Sequence, residues 1–369
     1  MNRIAILTGG GDCAGLNAFI ASAVKRAVTR YRLDVIGIRN AFAGACSPDP
    51  QDYVVPFRLS EVRDLASQPS TVLASSRFAP FSPKNIENGY PQRLINNLKA
   101  LRVDGVLVTG GDDTLRSSMH LAAMGVPVLA APKGIDNDVS ATDVMLGYRT
   151  AVDFGAVQCR STAVSAETHQ RISLVEVMGR QAGWLALDIG IASSADVILL
   201  PERVIDLGRV AKRVNEVYRE QGYCNVIVAE GTSFGADDPV IRQIAPRSRV
   251  IQAILDEETG ADEHGNPMLG GIVQILKRIL VIHLGLGSLS KVRTTDLGFT
   301  LRGLLPVAED VILGTKFGIH AVDCLMQGKH GLMLAARGTE VVTVPFEDGL
   351  IQKRVNWSDD QLRSVGVCW

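Results

Sequence analysis

Short apolar runs rich in valine and isoleucine recur along the chain, separated by stretches in which apolar positions repeat every three to four residues. The short runs span residues 3–7, 33–38, 104–110, 126–132, 171–179, 196–201, 225–231, 291–299, 332–337 and 340–346, and they predict strands. Helical spacing lies between them, as in Leu16, Phe19, Ile20, Ala23 and Ala27, with polar residues on the opposite face. Strands apolar on both faces and separated by helices predict mostly parallel sheets in three-layer α/β/α domains. No low-complexity stretch or Pro/Gly/Ser linker divides the chain, so two interleaved domains are expected, with the chain crossing between them more than once. The greasiest segment, residues 270–287, is interrupted by Lys277 and Arg278. It reads as a buried amphipathic helix running into a loop, too short to span a bilayer.

Composition narrows the class. The chain has 369 residues, 46% hydrophobic and 21% charged, with a formal net charge of -1. That is a soluble composition with room for two domains. Near-zero net charge argues against a broad nucleic-acid or membrane-surface footprint. The six cysteines (13, 46, 159, 224, 324 and 368) form no CxxC pair and no zinc spacing, which predicts free thiols in a reducing cytoplasm. The first eight residues run straight into a strand without a basic leader, so no signal peptide is expected.

In open parallel sheets ligands bind at the carboxyl ends of strands, and three strand ends carry unusual sequence. After the first strand comes LTGGGDCAGLNAFI (7–20), where glycines precede a helix. Such a turn admits close approach to an anion at the helix start, or is simply tight. Its spacing matches neither GxGxxG nor a P-loop. The run LVTGGDDTLR (107–116) places Asp112 just past two glycines. A carboxylate beside a phosphate loop suits Mg²⁺, which takes one or two carboxylates and completes its shell with phosphate oxygens and water. Equally, Asp113 or Thr114 could cap the next helix. The third end, APKGIDNDV (131–139), sets Asp136 and Asp138 around Asn137. One could be a general base, or the three could form an Asx turn. Lys133 is harder to explain as a turn residue. Together, an anion cradle, a metal carboxylate and a base are the equipment of phosphoryl transfer.

At this point the chain resembles the phosphofructokinase family. The matching motifs are GGGDCAGLNA, GGDDT, PKGIDND, HQRISLVEVMGRQAGWLAL, LPE, VRTTDLGF with Arg302, and GTKFG, from Ile4 to about Gly349. The resemblance implies two interleaved domains, 1–146 with about 301–352 for the donor and about 147–300 with 353–369 for the sugar phosphate. ATP users of the family have glycine where this chain has Asp113 and Lys133. Glycine leaves room for an α-phosphate and nucleoside. A carboxylate at 113 fills and repels, and a lysine at 133 suits a small, highly charged pyrophosphate. The resemblance therefore implies a reversible, Mg²⁺-dependent phosphorylation of fructose 6-phosphate at its 1-hydroxyl by pyrophosphate, in glycolysis or gluconeogenesis.

By the same resemblance, Gly10, Gly11, Arg77, Asp113, Thr114 and Lys133 would meet pyrophosphate, and Asp112 would hold Mg²⁺. Asp136 would take the proton of the sugar hydroxyl, Asp138 would support its loop, and Arg180 would stabilise the transferring phosphoryl group. Gly134, Ile135, Met178, Gly179, Glu202 and Phe299 would line the sugar pocket. Arg171, Arg293 and Arg302 would hold the distal phosphate by charge-assisted bonds. Residues matching Arg171 and Arg293 come from a neighbouring subunit in the family, which implies a homodimer or homotetramer.

Several positions depart from the family pattern. Gly134 replaces a threonine whose loss would remove a hydrogen bond of about 0.5–1.5 kcal/mol and loosen the loop. Phe299 replaces a hydrogen-bonding histidine or tyrosine. TLRGLLP (300–306) replaces LQRGGSP, PSTVLASSR (69–77) replaces GGTxLGSSR, and Ala14 replaces proline. These changes keep phosphoryl transfer and open the acceptor to another sugar phosphate, such as sedoheptulose 7-phosphate. Ala21 and Ala163 stand where nucleotide-regulated relatives carry effector arginines, so control by nucleotides is not expected. A weakly active regulatory or binding subunit is the alternative of another class. An NAD kinase, which shares a GGDG[TS] motif, lacks the downstream MGR, PE and arginine set.

Overall fold

The computed structural model describes residues 1–244 and 269–369. The chain divides into two compact units, Met1–Ala151 with Arg302–Lys353, and Val152–Leu301 with Arg354–Trp369. In chain order the strands are β1 (Arg3–Thr8), β2 (Asp34–Ile38), β3 (Val54–Pro56), β4 (Gly105–Gly110), β5 (Val128–Pro132), β6 (Ile172–Val177), β7 (Val197–Leu199), β8 (Cys224–Ala229), β9 (Val292–Asp296), β10 (Leu332–Arg337) and β11 (Glu340–Pro345).

The first unit is built on a seven-stranded sheet in the order β11-β10-β5-β4-β1-β2-β3. Its five central strands are parallel, and β3 and β11 pair antiparallel at the edges. β5, β4 and β1 are adjacent, with Thr8 level with Thr109 and Thr109 level with Ala131. The three chemically unusual strand ends therefore sit side by side. At the usual inter-strand spacing they span about 10 Å, the scale of a diphosphate and one hydroxyl.

Helix Leu16–Tyr31 buries the face its spacing marks, including Leu16, Phe19, Ile20, Ala23 and Ala27. It packs closely on helix Ala308–Met326 because that helix offers glycines. A Cβ on Gly314 would lie 2.6 Å from the Gly15 carbonyl, and one on Gly318 2.5 Å from the Phe19 carbonyl. Asp310, in the first turn of the same helix, is fully buried. It accepts from the Gly147 and Thr150 amides at 2.8 Å and from Thr150 Oγ1 at 2.6 Å, satisfying donors at the start of helix Tyr148–Thr168. Burial nevertheless raises its pKa.

The second unit has a four-stranded, all-parallel sheet in the order β7-β8-β6-β9. Ile172, Leu174, Val226 and Val228 on one face meet Val210 and Val214 of helix Leu207–Gln221 and Leu276 and Ile279 of helix Ile272–His283. The latter is the amphipathic helix read from residues 270–287. Its capping partner is remote, since Glu176 accepts from the Gly271 amide at 2.7 Å and the Val273 amide at 3.2 Å.

Several strands are shorter than their apolar runs. β6 stops at Val177 before Gly179 turns at φ 137°, and β9 stops at Asp296 before Gly298 turns at φ 42°. β3, with only three residues, leaves no alternation to detect. All six cysteines are free thiols. Among the described residues no helix is long and apolar enough to cross a membrane.

Candidate active site

In the first unit, the turn after β1 is clamped on three sides. The Gly9 amide donates to the Thr109 carbonyl and the Gly10 amide to the Ser76 carbonyl, both at 2.9 Å. Thr114, buried on helix Asp112–Ala123, lies where a Cβ on Gly9 would stand, 2.8 Å from both its Oγ1 and its Cγ2. Lys133 Nζ donates to the Gly11 carbonyl and would be 3.0 Å from a Cβ on Gly10. The Arg302 guanidinium lies against Gly11, whose Cβ would be 2.9 Å from Nη1 and 3.1 Å from Cζ. These glycines are thus required largely by the side chains packed on them. Two cationic side chains therefore bracket Gly11. Burial lowers the Lys133 pKa, and the charge of Arg302 lowers it further.

Asp112 and Asp113 both lie in the first turn of helix Asp112–Ala123, and its N-cap is Gly111 rather than either aspartate. Asp112 is half-buried and Asp113 exposed. No group of three or more His, Cys, Asp or Glu side chains that could hold a metal occurs among the described residues. A cation at Asp112 would therefore need phosphate oxygens and water to complete its shell, the usual habit of Mg²⁺.

The segment 69–77 is stitched to the same strand end. Asn17 donates to the Pro69 carbonyl at 3.0 Å and accepts from the Val72 amide at 3.0 Å. Thr8 Oγ1 donates to the Ala74 carbonyl at 2.8 Å, and Ser75 Oγ donates to the Gly10 carbonyl at 2.5 Å. Ser70 at φ 54° and Ala74 at φ 53° keep a left-handed backbone where the family pattern has glycine. Arg77 follows, exposed.

Past β5, burial alternates. Ile135, Asn137 and Val139 are inside, while Gly134, Asp136 and Asp138 are half-buried. Both aspartates thus fall on the less buried side of the loop, although Asp136 Oδ1 is itself buried. Gly134 has φ 152°, and a Cβ there would be 3.1 Å from Met145 Cε. A threonine would be strained at that backbone. The Gly134 amide also donates to the Leu146 carbonyl at 3.0 Å. Glycine suits this backbone, and its amide ties the loop to Leu146.

In the second unit, Arg171, Ser173, Arg293 and Thr295 line a cavity of about 100 Å³ with Thr162 and Ser165 of helix Tyr148–Thr168. Arg302 belongs to the other unit. Within the second unit Arg171 and Arg293 thus share one cavity.

Met178 and Gly179 follow β6, and Arg180 has a left-handed φ of 53°. Glu230 Oε1 accepts from the Arg180 amide at 2.9 Å and the Gly179 amide at 3.2 Å. That carboxylate holds the strained turn and escaped the sequence reading, because an acid ending a strand fifty residues away carries no spacing signal. Glu202 Oε1 accepts from the Gly183 amide at 2.8 Å and the Val355 amide at 3.0 Å. Gly183 is the N-cap of helix Trp184–Ser193 and brings no side chain of its own. Glu202 Oε2 is buried without a hydrogen-bond partner among the described residues. Phe299 is 82% exposed.

A family model described as Phosphofructokinase matches residues 3–325. A pyrophosphate–fructose 6-phosphate 1-phosphotransferase of Streptomyces coelicolor is 38% identical over 347 residues, covering 94% of either chain. An ATP-dependent 6-phosphofructokinase 3 of the same organism is 34% identical over 349 residues, again 94% of either chain. Among solved structures, a pyrophosphate-dependent phosphofructokinase from Nitrosospira multiformis superimposes with a TM-score of 0.79 at 21% identity, over 97% of this chain and 88% of its own.

Proposed function

The chain belongs to the phosphofructokinase family, and we propose that it transfers a phosphoryl group from pyrophosphate to the 1-hydroxyl of fructose 6-phosphate, giving fructose 1,6-bisphosphate. Relatives that use pyrophosphate and relatives that use ATP are both similar to it, so the residues around the glycine turn must decide the donor. The observation that carries the reading is Lys133, fully buried and bonded to the Gly11 carbonyl. Burying an ammonium is costly unless an anion uses it. Asp113, in the first turn of the next helix, sets a negative charge against the α-phosphate of a nucleotide.

The proposed chemistry follows from position. Asp136 accepts the proton of the 1-hydroxyl as that oxygen attacks the terminal phosphorus. The bond from phosphorus to the bridging oxygen breaks, and orthophosphate leaves with the electron pair. Arg180 neutralises charge on the transferring group, and Asp138 steadies the loop of Asp136. Arg302, lying on Gly11, adds a second cation on the donor side beside Lys133. Asp112 would hold Mg²⁺, which supplies charge neutralisation at the phosphate oxygens when bound. A phosphoanhydride is exchanged for a phosphate ester, so the reaction is proposed to run in either direction.

Arg171 and Arg293 form the proposed seat for the sugar's distal phosphate, with Met178, Gly179 and Glu202 lining the sugar. Helix Tyr148–Thr168, which borders that cavity, exposes Val157 and Val164 one heptad apart. We read this stripe as covered by a second copy, in a cytoplasmic homo-oligomer with shared sites. Phe299 offers no hydrogen bond and stands exposed, which favours a second reading in which a longer ketose phosphate such as sedoheptulose 7-phosphate is taken. The test is initial-rate measurement with pyrophosphate and Mg²⁺ across C5–C7 sugar phosphates. Highest kcat/KM on fructose 6-phosphate supports the first reading, and highest on the seven-carbon sugar supports the second. Binding of a sugar phosphate without turnover would overturn both.

A further inference from the structure

Lys353 is the last residue of the first unit before the chain leaves it. Its surroundings concern the loop of Asp136. Val139 pairs with Gln352 in an antiparallel bridge, and the Lys353 amide donates to the Asp138 carbonyl at 2.6 Å. The Ser140 amide and Oγ donate to the Ile351 carbonyl at 3.2 Å and 2.5 Å. Residues 351–353 therefore run as a short ladder along residues 138–140, held by backbone bonds that need no lysine side chain.

The Lys353 ammonium does something else. Nζ donates to Asn137 Oδ1 at 3.1 Å, to the Thr142 carbonyl at 3.0 Å and to the Asp143 carbonyl at 3.2 Å. Asn137 Oδ1 also accepts from the Met145 amide at 3.0 Å. Asn137 is 5% exposed and left-handed at φ 52°. Asparagine tolerates that region better than most residues, and here the bonds on its Oδ1 from Lys353 and Met145 fix it there. Asn137 lies between Asp136 and Asp138, so fixing its backbone fixes how both carboxylates are presented.

We propose that Lys353 is a positioning residue of the reaction, locking Asn137 so that Asp136 keeps one attitude toward the sugar hydroxyl. This rests on the reading of Asp136 as the base. The bland alternative is a lysine that merely docks the 351–353 segment, but the ladder already does that. Geometry also explains the residue type. A compact ammonium with rotatable donors reaches three convergent oxygens, whereas a planar guanidinium cannot.

The test compares Lys353→Met, Lys353→Arg and Asn137→Gly with the parent enzyme. Asn137→Gly accepts the left-handed φ, so it folds even where Lys353→Met does not. Misplacing a reacting group by about an ångström costs up to roughly 100-fold. The expected result is a kcat about 30-fold or more below the parent for all three variants, with both KM values within about threefold. Lys353→Met with Asn137→Gly should be no slower than the slower single variant. A Lys353→Met kcat near that of the parent, or full recovery in Lys353→Arg, would overturn the proposal. Hydrogen exchange of the Met145 amide reads the same lock without turnover and is expected to quicken at least about tenfold in Lys353→Met. Unchanged exchange would refute the lock even if the substrate reading failed, while faster exchange in an enzyme inert toward every substrate pair would sink that reading alone.

Discussion

Ala74→Gly should stabilise the protein while leaving its activity intact. Ala74 is exposed and held at φ 53°, so its methyl contributes little packing and imposes a backbone penalty. For an L-residue the left-handed region costs about 1–2 kcal/mol. Glycine avoids that cost but gains freedom in the unfolded chain, an offset of about 0.5–1 kcal/mol. The net expectation is about 0.5–1 kcal/mol of stabilisation, a rise of about 1–4 °C in Tm for a domain of this size. The bonds that fix the segment involve the Ala74 carbonyl and the neighbouring Ser75 hydroxyl, and the substitution keeps them. Urea unfolding gives the answer through a higher midpoint at an unchanged slope. Ser70, at φ 54°, is a less clean site because its Oγ approaches Asp12 Oδ2 at 3.5 Å. A stability equal to or below the parent's in Ala74→Gly would mean that the backbone is not left-handed there.

Other outcomes follow from the same geometry. Gly11→Ala sets a methyl 2.9 Å from Arg302 Nη1 and should push the guanidinium away, lowering kcat/KM for pyrophosphate by about tenfold or more; an unchanged value would remove Arg302 from the donor side. Lys133→Met should abolish most activity, by about two orders of magnitude, yet raise stability at neutral pH. The buried Lys133 holds its proton less tightly than the unfolded chain does, so the parent gains stability as pH rises from the depressed folded pKa toward about 10.5. The stability gap between parent and variant should therefore narrow over that window, and a gap independent of pH would contradict the argument. Glu230→Ala strips the acceptor from the Gly179 and Arg180 amides and should lower kcat by about 100-fold, whereas Glu230→Gln, which keeps an oxygen acceptor, should lose far less; equal losses would point to the charge instead.

The parts of this molecule that were legible in its sequence are those where one short stretch carries the whole signal. The glycines after β1 and β4 and the acidic turn after β5 could be read as strand ends because each interrupts an apolar run with residues a bare turn does not need. The pairing of β5, β4 and β1 was not legible, since strand order depends on packing across residues far apart in sequence. Glu230, Lys353 and Asp310 were invisible for the same reason. Each is an ordinary charged residue whose importance comes from amides or oxygens supplied by another segment. Gly134 shows a different limit. Against the family's threonine it reads as a lost hydrogen bond, and its φ of 152°, a backbone that suits glycine, could not be read from the sequence. Arg302 was grouped with Arg171 and Arg293 by resemblance alone, and only coordinates show its guanidinium against Gly11.

The central claim concerns the donor, and one measurement tests it most directly: kcat/KM for pyrophosphate and for ATP, with fructose 6-phosphate and Mg²⁺ at saturation, in the parent and in Asp113→Gly with Lys133→Gly. The account predicts that the parent prefers pyrophosphate by at least about 100-fold, since the α-phosphate must pass a carboxylate. It also predicts that the double variant loses pyrophosphate activity and gains measurable use of ATP. A parent enzyme that uses ATP as well as it uses pyrophosphate would contradict it.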